Sequence, residues 1–163
     1  MADTVTIRGT GYSLPVVGDK SWGDSLSAFL LAIPRATRTA FTFGNSSSGT
    51  CAGTATYYLS PVFGDSASGV SEYKQPAPFA GIIRDLYVIE NTPHTTNTVT
   101  YTVRVNGVAT AITCATASTV GTGSDTTHSA TVVAGDYISV SMTANSQTVD
   151  PSNVIVVLTL TME

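Results

Sequence analysis

The sequence predicts a mostly β protein: an antiparallel β-sandwich or jelly roll, preceded by an N-terminal arm that contains one short helix. Three observations predict this fold class. A hairpin in the middle of the chain specifies its own pairing, many short alternating runs are separated by turn residues, and only one stretch has helical spacing.

The hairpin is predicted within Asn97–Ala115, where two alternating runs meet at Asn106-Gly107. Both turn residues tolerate the positive φ that a type I′ turn requires. A one-residue slip would exchange the two faces, so the pattern fixes the pairing. The pairs expected on the packed face are Val105/Val108, Val103/Thr110, Tyr101/Ile112 and Val99/Cys114. Those expected on the outer face are Arg104/Ala109, Thr102/Ala111, Thr100/Thr113 and Thr98/Ala115.

Further strands are expected before and after the hairpin. Phe79–Glu90 is apolar on both faces, which is typical of a central strand. In Val154–Met162 the residues Val154, Val156, Leu158 and Leu160 share one face. The other predicted strands are Thr4–Arg8, Ala36–Thr42, Thr54–Pro61, His128–Val133 and Tyr137–Ala144, the last with Ser139 and Ser141 facing outward. Gly64–Lys74 and Ala117–Thr127 are expected to be loops.

One helix is predicted near the N-terminus, at about residues 22–33, between a capping box at Ser21/Asp24 and Pro34. Its apolar stripe needs a surface to lie against, either on its own sandwich or on another subunit. We therefore divide the chain into an arm (1–43), a Gly/Ser-rich linker (44–53) and a sandwich (54–163). The arm residues expected to bind a partner are Trp22, Leu26, Phe29, Leu30, Ile33, Arg35 and Arg38.

The composition is low in charge. Charged residues make up 11% of the chain, the net charge is −4, and no Lys or Arg follows Arg104. An acidic, hydroxyl-rich distal half argues against binding to nucleic acid and to anionic membranes. The apolar runs are too short to span a bilayer, and the N-terminus has no signal-peptide pattern. An ordinary secreted-type β-sandwich is the plainest alternative.

No catalytic or metal-binding motif is found in the sequence, so we expect no enzyme, cofactor or metal site. His94 and His128 are expected at the surface, without an acid beside either. Asp85 is expected to pair with a cation on a neighbouring strand, and Cys114 to be a buried free thiol. No set of aromatic residues is predicted to share one exposed face, which leaves a sugar-binding role without support.

Several stretches resemble a known family. AGIIRDLYV, VTYTVRVNGVAT, SATVVAGDYISVSMT and VIVVLTLTM are similar to the jelly-roll domains of tailed-phage virion proteins. YSLPVVGDKSWGDSLSAFLLAI looks like the N-terminal segments of phage head-decoration and fibre proteins. The resemblance implies a structural virion protein on the capsid surface, made in the host cytoplasm. Its partners would be its own copies, as a homotrimer, and the major capsid protein.

A compact decoration (cement) protein is favoured, because the chain lacks the long shaft of a fibre. The alternative is the receptor- or glycan-binding tip of a tail or head fibre, acting through the loops Gly64–Ser71 and Ala117–Thr127. A small glycan hydrolase or esterase has no residues to support it.

Overall fold

A computed structural model describes residues 4–7, 10–13, 38–45, 55–62, 67–68, 72–146, 149 and 151–162 of the chain. These residues form strands and no helix. In chain order the strands are β1 (Thr4–Ile7), β2 (Thr10–Ser13), β3 (Arg38–Gly44), β4 (Thr56–Tyr58), β5 (Ala67–Ser68), β6 (Gln75–Pro76), β7 (Gly81–Thr92), β8 (Thr98–Val105), β9 (Val108–Ala117), β10 (Thr122–Asp125), β11 (Ala130–Val132), β12 (Tyr137–Thr143) and β13 (Ser152–Met162).

The described strands are arranged in three antiparallel sheets. β1 and β2 form a two-stranded sheet. The five-stranded sheet has the order β10-β7-β13-β3, with β11 also paired to β7. The six-stranded sheet has the order β5-β4-β12-β8-β9, with β6 also paired to β12. The predicted mostly β, antiparallel fold is therefore confirmed.

One hydrophobic core is shared by the five-stranded and six-stranded sheets. The alternating residues of β13 that the sequence assigned to one face, Val154, Val156, Leu158 and Leu160, are all fully buried in it. β7 is central, as predicted, because it pairs with β13 on one side and with β10 and β11 on the other. The six-stranded sheet contributes Tyr101, Val103, Ile112, Ile138, Val140 and Met142.

The predicted hairpin forms, but its register is correct only beside the turn. Val105 faces Val108 and Arg104 faces Ala109, whereas Tyr101 faces Cys114 and Val99 faces Thr116. The pairing shifts by two residues between these positions, so every side chain keeps its face. Val108, which we expected on the packed face, is 69% exposed because the tip of the hairpin extends past the core.

Thr110 explains the shift in physical terms. Its hydroxyl donates to the carbonyl of Val103 at 2.8 Å and accepts from the amide of Ile112 at 3.2 Å. The side chain thus satisfies two backbone groups that the irregular pairing leaves without their regular ladder partners.

Three other expectations need correction. Residues 38–43, assigned to the arm, lie in β3, where Phe41 and Phe43 are buried against the core and the strand pairs with β13. The expected loops Gly64–Lys74 and Ala117–Thr127 contain β5 and β10, respectively. Ser139 and Ser141 are buried, not outward in solvent, because Arg104 and Tyr58 stand opposite them on neighbouring strands. The predicted helix at 22–33 lies outside the described residues.

Candidate interaction surface

The outer face of the five-stranded sheet carries an apolar strip. Tyr87 and Ile89 of β7 point away from the core, and these residues are 51% and 48% exposed. Val157 and Ile155 of β13 lie directly beside them, in register. We call Tyr87, Ile89, Ile155 and Val157 the outer strip. Its members carry no charge, so the strip can be covered by another apolar surface without desolvating an ion.

A shallow groove runs along the outer strip between β7 and β10. Ser124 stands opposite Tyr87, and Thr122 stands opposite Ile89. Gly123 lies between them, and the groove encloses about 350 Å³. The groove therefore combines a half-exposed aromatic ring with a row of neutral hydroxyl groups.

Charge appears at one end of this face. Arg84 and Asp85 form an ion pair at 3.7 Å, both partly exposed. Asp85 was expected to pair with a cation on a neighbouring strand, and this expectation is wrong. Asp85 lies in a bulge opposite β13 with a φ of 58°, which turns its carboxylate back toward Arg84. A surface pair of this kind contributes little to stability, about 0–1 kcal/mol.

A buried polar cluster links the two large sheets at one end of the core. The Oε2 of Glu90 accepts from the backbone amide and from Nδ1 of His94, at 3.2 and 2.8 Å. Its Oε1 accepts from the hydroxyls of Tyr101 and Thr116, at 2.8 and 2.6 Å. The expectation of a surface His94 is wrong: the ring has no exposed surface, and Nε2 lies 3.3 Å from the carbonyl of Asn97.

A second cluster forms around Asp125, at the end of β10. Its carboxylate accepts from the backbone amides of Thr113, Thr127 and His128 and from the His128 ring, at 2.9 to 3.1 Å. Burial opposes ionisation, but these hydrogen bonds outweigh it and hold the pKa of Asp125 below its usual range. His128 is exposed as expected, although an acid does accompany it.

Cys114 lies on β9 in the core, and its thiol is free, as the sequence predicted. Burial, together with the negative charges of Asp125 and Glu90, raises its pKa to about 12. A thiol with this pKa is a poor nucleophile. Within the described ranges, no three His, Cys, Asp or Glu side chains are grouped so as to hold a metal ion. In the same ranges there is no helix long and apolar enough to cross a membrane.

The predicted partner-binding residues fall almost entirely outside the described part of the chain. Arg38 is the exception; it is exposed at the start of β3 and pairs with Thr161 in the sheet. The residues outside are Trp22, Leu26, Phe29, Leu30, Ile33 and Arg35.

Sequence reasoning missed the outer strip. The signal was present in Phe79–Glu90, whose apolar residues on both faces predict a central strand covered on both sides at least in part. The structure leaves one of those faces half-exposed at Tyr87 and Ile89.

The chain matches no protein-family model, and no curated protein sequence is significantly similar to it.

Proposed function

We propose that this chain is a structural virion protein that decorates a phage head as a homotrimer, with its two large sheets packed as a jelly-roll sandwich. The observation that carries the proposal is the outer strip. Tyr87 and Ile89 expose an uncharged apolar surface on a rigid sheet, which is the kind of surface that marks protein contact sites.

The ionisable groups support a structural role. Glu90 and His94 are fully buried and bound to each other, so a substrate has no access to either. Asp125 is occupied by backbone amides, and Cys114 is protonated at neutral pH. These groups strengthen the fold, which is what a particle-stabilising protein needs under internal pressure.

In this proposal the outer strip supplies a protein contact surface and the arm predicted from the sequence binds the capsid; the role of the arm is tested with the full chain. Wild-type protein is mixed with empty phage heads and pelleted, and its mass in solution is measured by light scattering. We expect about three times the 16.8 kDa chain mass, and stoichiometric pelleting with the heads. The double variant Leu26→Asp/Phe29→Asp should stay in the supernatant. Val108→Asp, at the exposed hairpin tip, is the matched control and should pellet.

A protein that remains monomeric, or that fails to pellet with heads, overturns the decoration role. Equal pelleting of the arm variant and the control removes the arm from the interface while leaving the decoration role intact.

The second candidate is a glycan-binding fibre tip, and the groove beside β10 favours it. An aromatic ring such as Tyr87 stacks against the apolar face of a sugar, while Thr122 and Ser124 offer hydroxyl groups to its polar edge. The neutral lining suits an uncharged saccharide. A glycan array probed with wild type and Tyr87→Ala tests this function. Binding that disappears in the variant but persists in Val108→Ala supports it, and an array without signal rejects it.

A further inference from the structure

The N-terminal hairpin is a sheet of only two strands. β1 and β2 pair from Thr4↔Ser13 to Ile7↔Thr10, and neither pairs with another described strand. An isolated two-stranded hairpin is at best marginally stable in water, because it lacks a third strand or a packed face. Pairing with an additional strand would therefore stabilise the hairpin.

Among the described residues, the five-stranded sheet has an edge at β3 that carries no paired strand and is occupied at one end by the Gly44–Ser60 bridge. β3 is the last strand of that sheet and pairs with β13 along its whole length without a bulge. The amide of Asn45 donates to Val154 of β13, whereas the amide of Gly44 donates to Ser60 on the opposite side. Because backbone direction alternates along a strand, the amides and carbonyls of Ala40 and Thr42 face away from β13.

This edge lacks the protection that the other sheet has. One edge strand of the six-stranded sheet is β9, and there Asp125 covers the edge by accepting from the amide of Thr113. From Thr39 to Phe43 the β3 edge contains no proline, no charged residue and no bulge. Such an edge is a template for strand addition.

We propose that the hairpin β1–β2 of one copy of this chain adds to the free edge of β3 in a second copy. Within a single chain, the hairpin pairs with no described strand of the five-stranded sheet. Residues 14–37 join β2 to β3; with the helix expected at 22–33 rising about 1.5 Å per residue and the other residues spanning about 3.3 Å each, the connection reaches up to ~58 Å, enough to cross to a neighbour.

Repeated head to tail, this exchange gives a closed ring when the rotation between successive copies closes, and the trimer requires that closure. The proposal rests on the homotrimer of the proposed function, since it names the contact that closes it. The partner is a second copy of this chain, and the contact consists of main-chain hydrogen bonds in the manner of strand addition.

Cross-linking between differently marked copies tests the exchange. All chains carry Cys51→Ser. One set carries Thr42→Cys, and the other carries Thr4→Cys, Thr6→Cys or Thr10→Cys. The two sets are co-expressed, oxidised and analysed on non-reducing gels, with peptide mapping of the linked band. We expect a cross-linked dimer in at least one mixed sample, and none in either set alone.

A proline variant gives an independent measurement. Thr42→Pro removes an amide that faces the free edge and not the β13 ladder, so the sheet itself keeps its hydrogen bonds. We expect a fall from trimer to monomer mass with the circular dichroism spectrum retained. Thr42→Val, which keeps the amide, is the matched control and should remain trimeric. Ala40→Pro repeats the test at a second position.

A trimer that gives no cross-link in any mixed sample overturns the exchange and leaves the decoration role standing. The exchange is also overturned if a chain that carries both cysteines cross-links only within itself, because the hairpin then occupies the β3 edge of its own chain. A cross-linked trimer that does not pellet with phage heads overturns the decoration role alone.

Discussion

The Oε2 of Glu90 lies 2.8 Å from Nδ1 of His94, and neither side chain has any exposed surface. Glu90 ends the buried part of β7 in the five-stranded sheet, while Tyr101 and Thr116, which also donate to it, belong to the six-stranded sheet. A single carboxylate thus joins both sheets through the core. Removing one member of such a cluster leaves the others buried and unpaired.

The first prediction concerns this carboxylate. Glu90→Gln keeps the shape of the side chain but removes its charge and one acceptor. We expect a loss of about 3 kcal/mol in the free energy of unfolding, measured by urea denaturation. Glu72→Gln, which breaks the partly exposed pair with Arg104, is the control and should cost less than half as much. Equal losses for the two variants would contradict a special role for Glu90.

The second prediction concerns acid stability. The pKa of Asp125 is lowered in the folded protein, so the carboxylate stabilises the fold fully above the ordinary Asp pKa of about 3.9 and loses this effect as the pH falls toward the folded pKa. Asp125→Asn should be less stable than wild type at pH 7, and the two unfolding free energies should converge below about pH 4. A gap that stays constant from pH 7 to pH 2 refutes the argument.

The third prediction concerns the buried thiol. In a Cys51→Ser background, Cys114 should not react with a thiol reagent at pH 8 in the native protein, because its pKa is about 12 and it lies in the core. Full reaction is expected once urea unfolds the chain. The readout is absorbance of the released chromophore over time. Rapid native labelling would show that the core opens at this position.

The fourth prediction concerns the hairpin irregularity. Thr110→Val removes the hydroxyl that binds both Val103 and Ile112, so we expect a loss of about 1–2 kcal/mol in unfolding free energy. Thr122→Val, on the exposed edge of the groove, is the matched control and should change stability by less than about 0.5 kcal/mol. If the two substitutions have the same effect, the hydroxyl of Thr110 does not maintain the shifted register.

The alternation of apolar and polar residues, together with the turn residues, predicted those features of the fold that depend on local sequence. Asn106-Gly107 fixed the turn, and the inward residues of β13 followed from period-2 spacing. The two-residue shift was not predictable in this way, because a shift by two preserves the face of every side chain. Side-chain hydrogen bonds such as those of Thr110 accompany the observed register, and such bonds leave no periodic signal.

The polar clusters were missed for a different reason. His94 is expected at the surface because it lies in a turn with no nucleophile motif or second acid beside it, yet folding brings its ring within 2.8 Å of Glu90, four residues earlier. Asp125 lies in a segment without apolar spacing, and its strand exists because β7 supplies a partner. Contacts of this kind are made by the tertiary fold, so a local pattern does not encode them.

Glu90 and Asp125 both reach from the five-stranded sheet to β9, at Thr116 and at Thr113. Two carboxylates that both bind β9 oppose shear, because sliding one sheet over the other would break both sets of hydrogen bonds at once. The two large sheets should therefore yield to lateral load abruptly and as a unit.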